Sequence, residues 1–147
     1  MVFSFVRQKM KAMKEHLLSL VENSRGYTLA VAEAMPVKLD NFKPAADVWD
    51  FREQLHHIAY CIEWWKDNYV KGIKTSWEPP ATSKSRKEAV ANLNQAYDSW
   101  RDAVNNATMN EDRIKGFFAT MDHITHHRGQ LIIYLRCNRI IPPEYSW

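Results

Sequence analysis

Apolar residues recur at intervals of three and four along most of this chain, and that period predicts helices. The first series runs Phe3, Val6, Met10, Met13, Leu17, Leu20 and Ser24, and continues through Tyr27, Val31 and Ala34, so residues 3–34 are expected to form one long amphipathic helix. Pro36 ends it. Residues 36–46, with prolines at 36 and 44, read as a loop crossing to the next helix. Asp47 is the expected N-cap of a second helix, because a short carboxylate accepts from the free N–H groups of a first turn. That helix carries Val48, Phe51, Leu55, Ile58, Ile62, Trp65 and Tyr69, spaced alternately by three and four, which is a bundle seam. Gly72 stops it, and a second loop holds Trp77-Glu78-Pro79-Pro80. Ser85 and Glu88 have capping-box spacing and open a third helix through Val90, Leu93, Tyr97, Trp100 and Val104, closed by Asn105-Asn106. Asn110 caps the fourth, which runs through Ile114, Phe117, Phe118, Met121, Ile124, Leu131, Ile132 and Leu135. Arg136 and Arg139 suit its carboxyl end, and Pro142-Pro143 bar its continuation.

Four such helices with no alternating strand pattern make an all-α four-helix bundle the expected fold. Composition agrees: four Gly and six Pro in 147 residues are too few to punctuate many short strands. With 46% hydrophobic residues the chain can bury a core without disulfides, so collagen-like, disordered and mini-protein classes are excluded. No repeat or shift in composition divides it, and residues 1–147 read as one domain. Net charge is only +3, and the densest basic patch is Lys84-Ser85-Arg86-Lys87, so nucleic acid is not expected as a partner. Cys61 and Cys137 form no CxxC pair and read as free thiols of a reducing compartment. No apolar run reaches the roughly 18 residues of a membrane span, and the amino terminus lacks signal-peptide character. A cytoplasmic location is the expectation.

The histidines change the picture, because five of the six fall in two clusters: His56-His57, and His123, His126 and His127. At 100° per residue His123 and His127 lie about 40° apart on one helix face and one turn apart along the axis, so their imidazoles can converge on one ion. His126 points about 60° or more away from both. HxxxH is how a helix supplies paired nitrogen ligands, although such a pair also occurs as a satisfied or solvated one. A third nitrogen must come from the second helix, where His57 lies about 120° to one side of the seam and His56 about 140° to the other. Periodicity leaves both open. Cys61, one turn after His57, could add a fourth ligand or simply fill the core. His16 reads as a solvated surface residue. Three imidazoles with no fourth protein ligand would leave positions open for water or substrate, and imidazole suits Zn, Ni, Fe and Cu alike. Bridging carboxylates for a di-iron centre are missing: there is one ExxH, from Glu53 to His56, and no HxxxE.

The segment MDHITHHRGQLIIYLRCNRIIPPEYSW, Met121 to Trp147, resembles the end of proteins of the DinB/YfiT-like family, in which a helix bearing HxxxHHRGQ precedes a linker and a Pro-Pro pair. FREQLHHIAYCIEWW is similar to the family stretch that supplies the first ligand. The resemblance implies His57, His123 and His127 as the ligands of a divalent ion, zinc or nickel, with His126 not ligating and Arg128 and Gln130 structural or near the site. It further implies an up-down-down-up bundle with a long first crossover, and a homodimer. Relatives include thiol S-transferases and isomerases that use low-molecular-weight thiols such as bacillithiol or mycothiol, and metal-dependent hydrolases.

The leading expectation is therefore a metal-dependent enzyme whose ion activates water or a thiol against a small-molecule electrophile. The alternative is a non-catalytic metal-binding module of stress-response type that holds a ligand in an apolar pocket. No catalytic base is evident; Glu53 and Asp122 share the two helices, but Asp122 points off the ligand face. Trp65 fits the seam, Trp64 a pocket wall or dimer surface, and Tyr134 the pocket lining.

Overall fold

The computed structural model describes residues 2–145, apart from the side chains of residues 2–4 and 6. Phe3 and Val6, expected on the first stripe, and Ser146 and Trp147 at the end of the motif lie outside the described residues. Among the described residues there are four α-helices: α1, Val2–Ala34; α2, Phe51–Trp65; α3, Arg86–Asn106; and α4, Glu111–Cys137. No strand occurs among the described residues, and no helix there is long and apolar enough to cross a membrane.

Pairings between helices fix the topology. Lys14 meets Asn105, Arg25 meets Asn94 and Asp98, and Ala32 meets Arg86, so α1 and α3 are antiparallel neighbours. Gln54 reaches Gln130 and Tyr69 abuts Gly116, so α2 and α4 are also antiparallel. His56 meets Ser83 just ahead of α3, and Lys66 meets Ser99, so α2 and α3 run parallel. His16 shares a hollow with Met121 and Ser24 meets Arg128, which makes α1 and α4 parallel. The order is up-down-down-up, and the long crossover between α2 and α3 follows from it, since two parallel helices cannot be joined by a tight turn, whereas α3 passes to the antiparallel α4 through the short segment between Asn106 and Glu111.

Caps explain where the helices start. Asp50, not Asp47, caps α2: its carboxylate accepts from the Glu53 N–H at 2.7 Å while Glu53 Oε2 accepts from the Asp50 N–H at 2.7 Å. This reciprocal box satisfies two donors at once, which a lone Asp47 carboxylate does not. The Ser85–Glu88 box is only half formed. Ser85 Oγ accepts from the Glu88 N–H at 3.2 Å, but the Glu88 carboxylate reaches one residue further, to the Lys84 N–H. Asn110 caps α4 as expected, accepting from the Arg113 N–H at 3.0 Å. The expected second helix ends earlier as α-helix, at Trp65, and continues as a π-helical turn, Lys66–Lys71, before Gly72 stops it with φ of 74°. Here the wide turn brings Tyr69 against Gly116 of α4, where any side chain would collide. α4 stops ahead of the proline pair, with Arg139 in the left-handed conformation at φ 59° and the Ile140 N–H closing onto the Leu135 carbonyl at 3.0 Å.

Core residues come from all four helices. Phe51, Leu55, Ile58 and Ile62 of the α2 seam are fully buried, as are Leu93, Tyr97, Trp100 and Val104 of α3. Each such side chain stabilises the fold by about 1.5–3 kcal/mol. Leu17, Ser24 and Val31 of the expected α1 stripe are buried, joined by Val21, Thr28 and Ala32 on one flank, while Met10 is exposed. The seam of α2 also fades at its end, where Trp65 is half-buried and Tyr69 exposed.

Candidate metal centre

Antiparallel packing of α2 against α4 brings His57 to the His123/His127 pair. One ring nitrogen from each of the three lies within 4.8 Å of the other two, with His57 Nε2 and His123 Nε2 at 3.2 Å. Ring centroids are separated by 4.4 Å for His57–His127, 4.5 Å for His123–His127 and 5.3 Å for His57–His123. The 40° offset of the helical pair is what lets two imidazoles from one helix meet a third from its neighbour.

His56 goes elsewhere. Its Nδ1 accepts from the Ser83 N–H at 3.3 Å and contacts Ser83 Oγ at 3.0 Å, on the α3 side of α2. His126 is exposed and receives a bond from Gln130 Nε2 at 3.0 Å. His16 is exposed, as expected. Cys61 is buried, and its Sγ touches His57 Nε2 at 3.3 Å, yet it is not a member of the mutually close set. Burial pushes its thiol up to about 12, so the sulfur is protonated at neutral pH when no cation is near.

The trio is held by a polar chain that the sequence reading did not find. Gln54, buried among the seam residues, accepts the His127 Nδ1–H at its Oε1, 2.9 Å away. That bond fixes the tautomer and leaves Nε2 as the lone pair of His127. The Gln54 amide then donates to Gln130 Oε1 at 2.6 Å and to Tyr134 OH at 3.4 Å, and Tyr134 OH donates to the Trp49 carbonyl at 2.7 Å. A polar residue three positions before His57 on an apolar seam was the available signal for Gln54. Nothing local in the sequence marked Trp49, whose ring lies 4.4 Å from His57 and 5.9 Å from His127.

Electrostatics favour neutral imidazoles. Burial first, then the neighbouring His123 and His56, pull His57 down to about 4. Burial, with His57, His123 and His126 adding to it, pulls His127 to about 3. His123 is lowered by burial and by His126. Three neutral rings bring one nitrogen each to a common point, and neutral imidazole is the form that binds a metal, so together they offer the donor set of an open divalent site. The residues therefore fit the ion. No carboxylate joins them: Glu53 is committed to the α2 cap and to Lys43 at 3.6 Å, and Asp122 is exposed. Arg128 is buried and faces α1, bonding Ser24 and Thr28 at 3.3–3.4 Å and lying over the Tyr27 ring, so it ties helices together. Beside His127 opens a cavity of about 420 Å³ whose lining includes Trp49, Gln54, Gln130, Ile133 and Tyr134.

An up-down-down-up bundle with three imidazoles gathered between α2 and α4 defines a class of helical proteins whose centre is compatible with a divalent metal. The model of the DinB superfamily matches residues 20–131, and the chain belongs to that superfamily. A DinB-like protein from Bacillus subtilis, YjoA, known from its crystal structure, superimposes with a TM-score of 0.71. The match covers 89% of this chain and 98% of that one at 16% sequence identity, a likeness of fold. No curated protein matches the chain in sequence.

Proposed function

We propose that the protein is a metal-dependent enzyme of the thiol S-transferase or hydrolase type, with His57, His123 and His127 holding one divalent ion, zinc or nickel. The observation that carries this reading is the convergence of three neutral imidazole nitrogens within 4.8 Å, with the His127 proton pinned on its far side by Gln54. Held by these three residues, the ion would supply Lewis acidity toward a water, a thiol or a carbonyl.

The chain's own residues shape the rest. Gln54 orients His127, Gln130 completes the amide chain, and Tyr134 fixes the Trp49 backbone at the edge of the cavity. A volume of about 420 Å³ suits a small molecule. Glu53 and Asp122 are not placed to act as bases, and the one carboxylate that lines the cavity is that of Asp47. The reading includes a reducing cytoplasm, in keeping with the free thiols of Cys61 and Cys137.

Elemental analysis of wild type and five single variants tests the ligand set. His57→Ala, His123→Ala and His127→Ala are each expected to lose the ion, whereas His56→Ala and His126→Ala keep it. A thiol-transfer and ester-hydrolysis panel, run with and without chelator, tests the chemistry. Turnover indifferent to chelation sinks the enzyme reading, and purified protein that takes up no divalent ion sinks the metal reading too.

A further inference from the structure

Three indoles surround the three imidazoles. Trp65 lies 6.3 Å from His123, Trp49 lies 4.4 Å from His57, and Trp77 meets His57 edge-on at 6.0 Å. Trp49 and Trp77 are left 45% and 47% exposed. Large apolar side chains at that exposure have a cost in water that a ligand would remove.

Trp77 is held in place by its loop. Residues 73–82 have no helix or strand and are exposed throughout, so they add almost nothing to the core. Yet the Trp64 indole N–H donates to the Thr75 and Ser76 carbonyls at 3.2 and 3.1 Å, and Asn68 bonds Thr75 at 2.8 and 3.1 Å. On the other side of Trp77 the Glu78 N–H donates to Tyr60 OH at 2.7 Å. The backbone is thus fixed both before and after the tryptophan, and its ring packs on Tyr60 at 4.7 Å and Trp64 at 5.4 Å. What the loop achieves is to hold one indole against His57. Trp49 is fixed likewise, through its carbonyl, by Tyr134.

Charge narrows the ligand. On the Trp49 side, in the cavity beside His127 that Trp77 does not itself line, Asp47 is the one charged side chain among the described lining residues, with no Lys or Arg. Val48, Trp49 and Ile133 give it apolar walls. An aromatic body stacks on an indole, and an organic cation over one gains further attraction, while an anionic tail meets Asp47 with no counter-charge.

We propose that Trp49 and Trp77 form the ligand-facing walls of the three-His centre and select a small molecule with an aromatic body that is uncharged or cationic away from its reacting group. The proposal deepens the enzyme reading and rests on it for the purpose of the site, though the contacts with the body of the ligand need no ion.

The test uses three probes of similar size, acetanilide, N,N,N-trimethylanilinium and benzenesulfonate, titrated into protein with isotope-labelled indole nitrogens before and after chelator treatment. Signals are assigned by Trp49→Phe and Trp77→Phe, and metal content is measured on each sample. Acetanilide and trimethylanilinium are expected to move the Trp49 and Trp77 signals and, in chelator-treated protein, to bind about tenfold tighter than benzenesulfonate. Trp49→Ala and Trp77→Ala should each weaken acetanilide by roughly three- to tenfold, and the Phe variants should retain most of its affinity. Equal binding of benzenesulfonate in chelator-treated protein, shifts confined to other tryptophans, or Ala variants that bind acetanilide like wild type would overturn the proposal. Absence of metal from the protein before any chelator treatment, with the expected order kept, would defeat the enzyme reading and leave the aromatic walls standing.

Discussion

Gln54→Leu separates a held imidazole from a merely nearby one. The side chains have similar volume, and Gln54 is 3% exposed, so the leucine occupies the same space in the seam. What disappears is the acceptor 2.9 Å from His127 Nδ1, together with the amide donor to Gln130 Oε1 and Tyr134 OH. His127, itself 7% exposed, then carries an N–H with no partner, and its ring is free to turn or to change tautomer. Loss of an outer hydrogen bond of this kind weakens a metal site by about 10–100-fold, or ~1.4–2.8 kcal/mol. Fold stability should fall too, by about 1–3 kcal/mol for the orphaned donor. Affinity is read by competition for zinc against a fluorescent chelator, with circular dichroism to establish folding. Gln54→Glu is the companion: a carboxylate accepts the same proton with a charge, so zinc should bind at least as tightly as to wild type. A folded Gln54→Leu protein that binds zinc within threefold of wild type would refute the assigned role of Gln54. Weak binding by Gln54→Glu would show that the amide donor to Gln130 and Tyr134, and not the accepted proton alone, holds the site together.

With folded values of about 4 for His57 and about 3 for His127 against an ordinary 6.5, the unfolded chain binds protons below pH 6.5 that the folded chain refuses. Stability of chelator-treated protein should therefore fall as the pH drops from 6.5 towards 3, and a His57→Gln/His127→Gln variant should show a shallower fall; urea unfolding at several pH values checks this, and identical slopes count against it. By the same sign, acid should release a bound ion, because protons compete for the nitrogens it needs. Gly116→Ala would put a Cβ 2.3 Å from the Tyr69 Cβ, a contact that no side-chain rotation relieves. A loss of about 1–3 kcal/mol is expected, lowering Tm by about 3–10 °C in a thermal melt, and Tyr69→Ala in the same chain should not restore it.

How far the sequence alone reached can be seen from individual residues. Helix extents were legible because a 3.6-residue period is local: Asn110, Gly72 and the Asn105-Asn106 close lie where the pattern put them. The α2 start was missed by three residues because Asp47 and Asp50 both satisfy the cap rule in isolation, and only Glu53, reaching back to Asp50, decides between them. Phe118 fits the α4 pattern by spacing but is exposed, since one stripe can bury only the side that faces a neighbour.

The centre divides the same way. That His123 and His127 can converge is a property of one helix and was readable from four residues of spacing. The choice between His56 and His57 was not readable from periodicity, because they flank the seam almost symmetrically and α2 has a neighbour on each flank. The resemblance to a family pointed to His57, and packing gives the physical reason: α4 lies on the His57 side and α3, through Ser83, on the other. Gln54 left a local signal, a polar residue one turn before His57, but Trp49 and Trp77 reach the site from segments outside the helices whose course depends on distant partners, so no local rule could place them. The sequence by itself determined which segments are helices and that two imidazoles share a face. Tertiary structure alone decided what meets them, because the third ring and the surrounding indoles arrive by contacts between residues far apart in the chain.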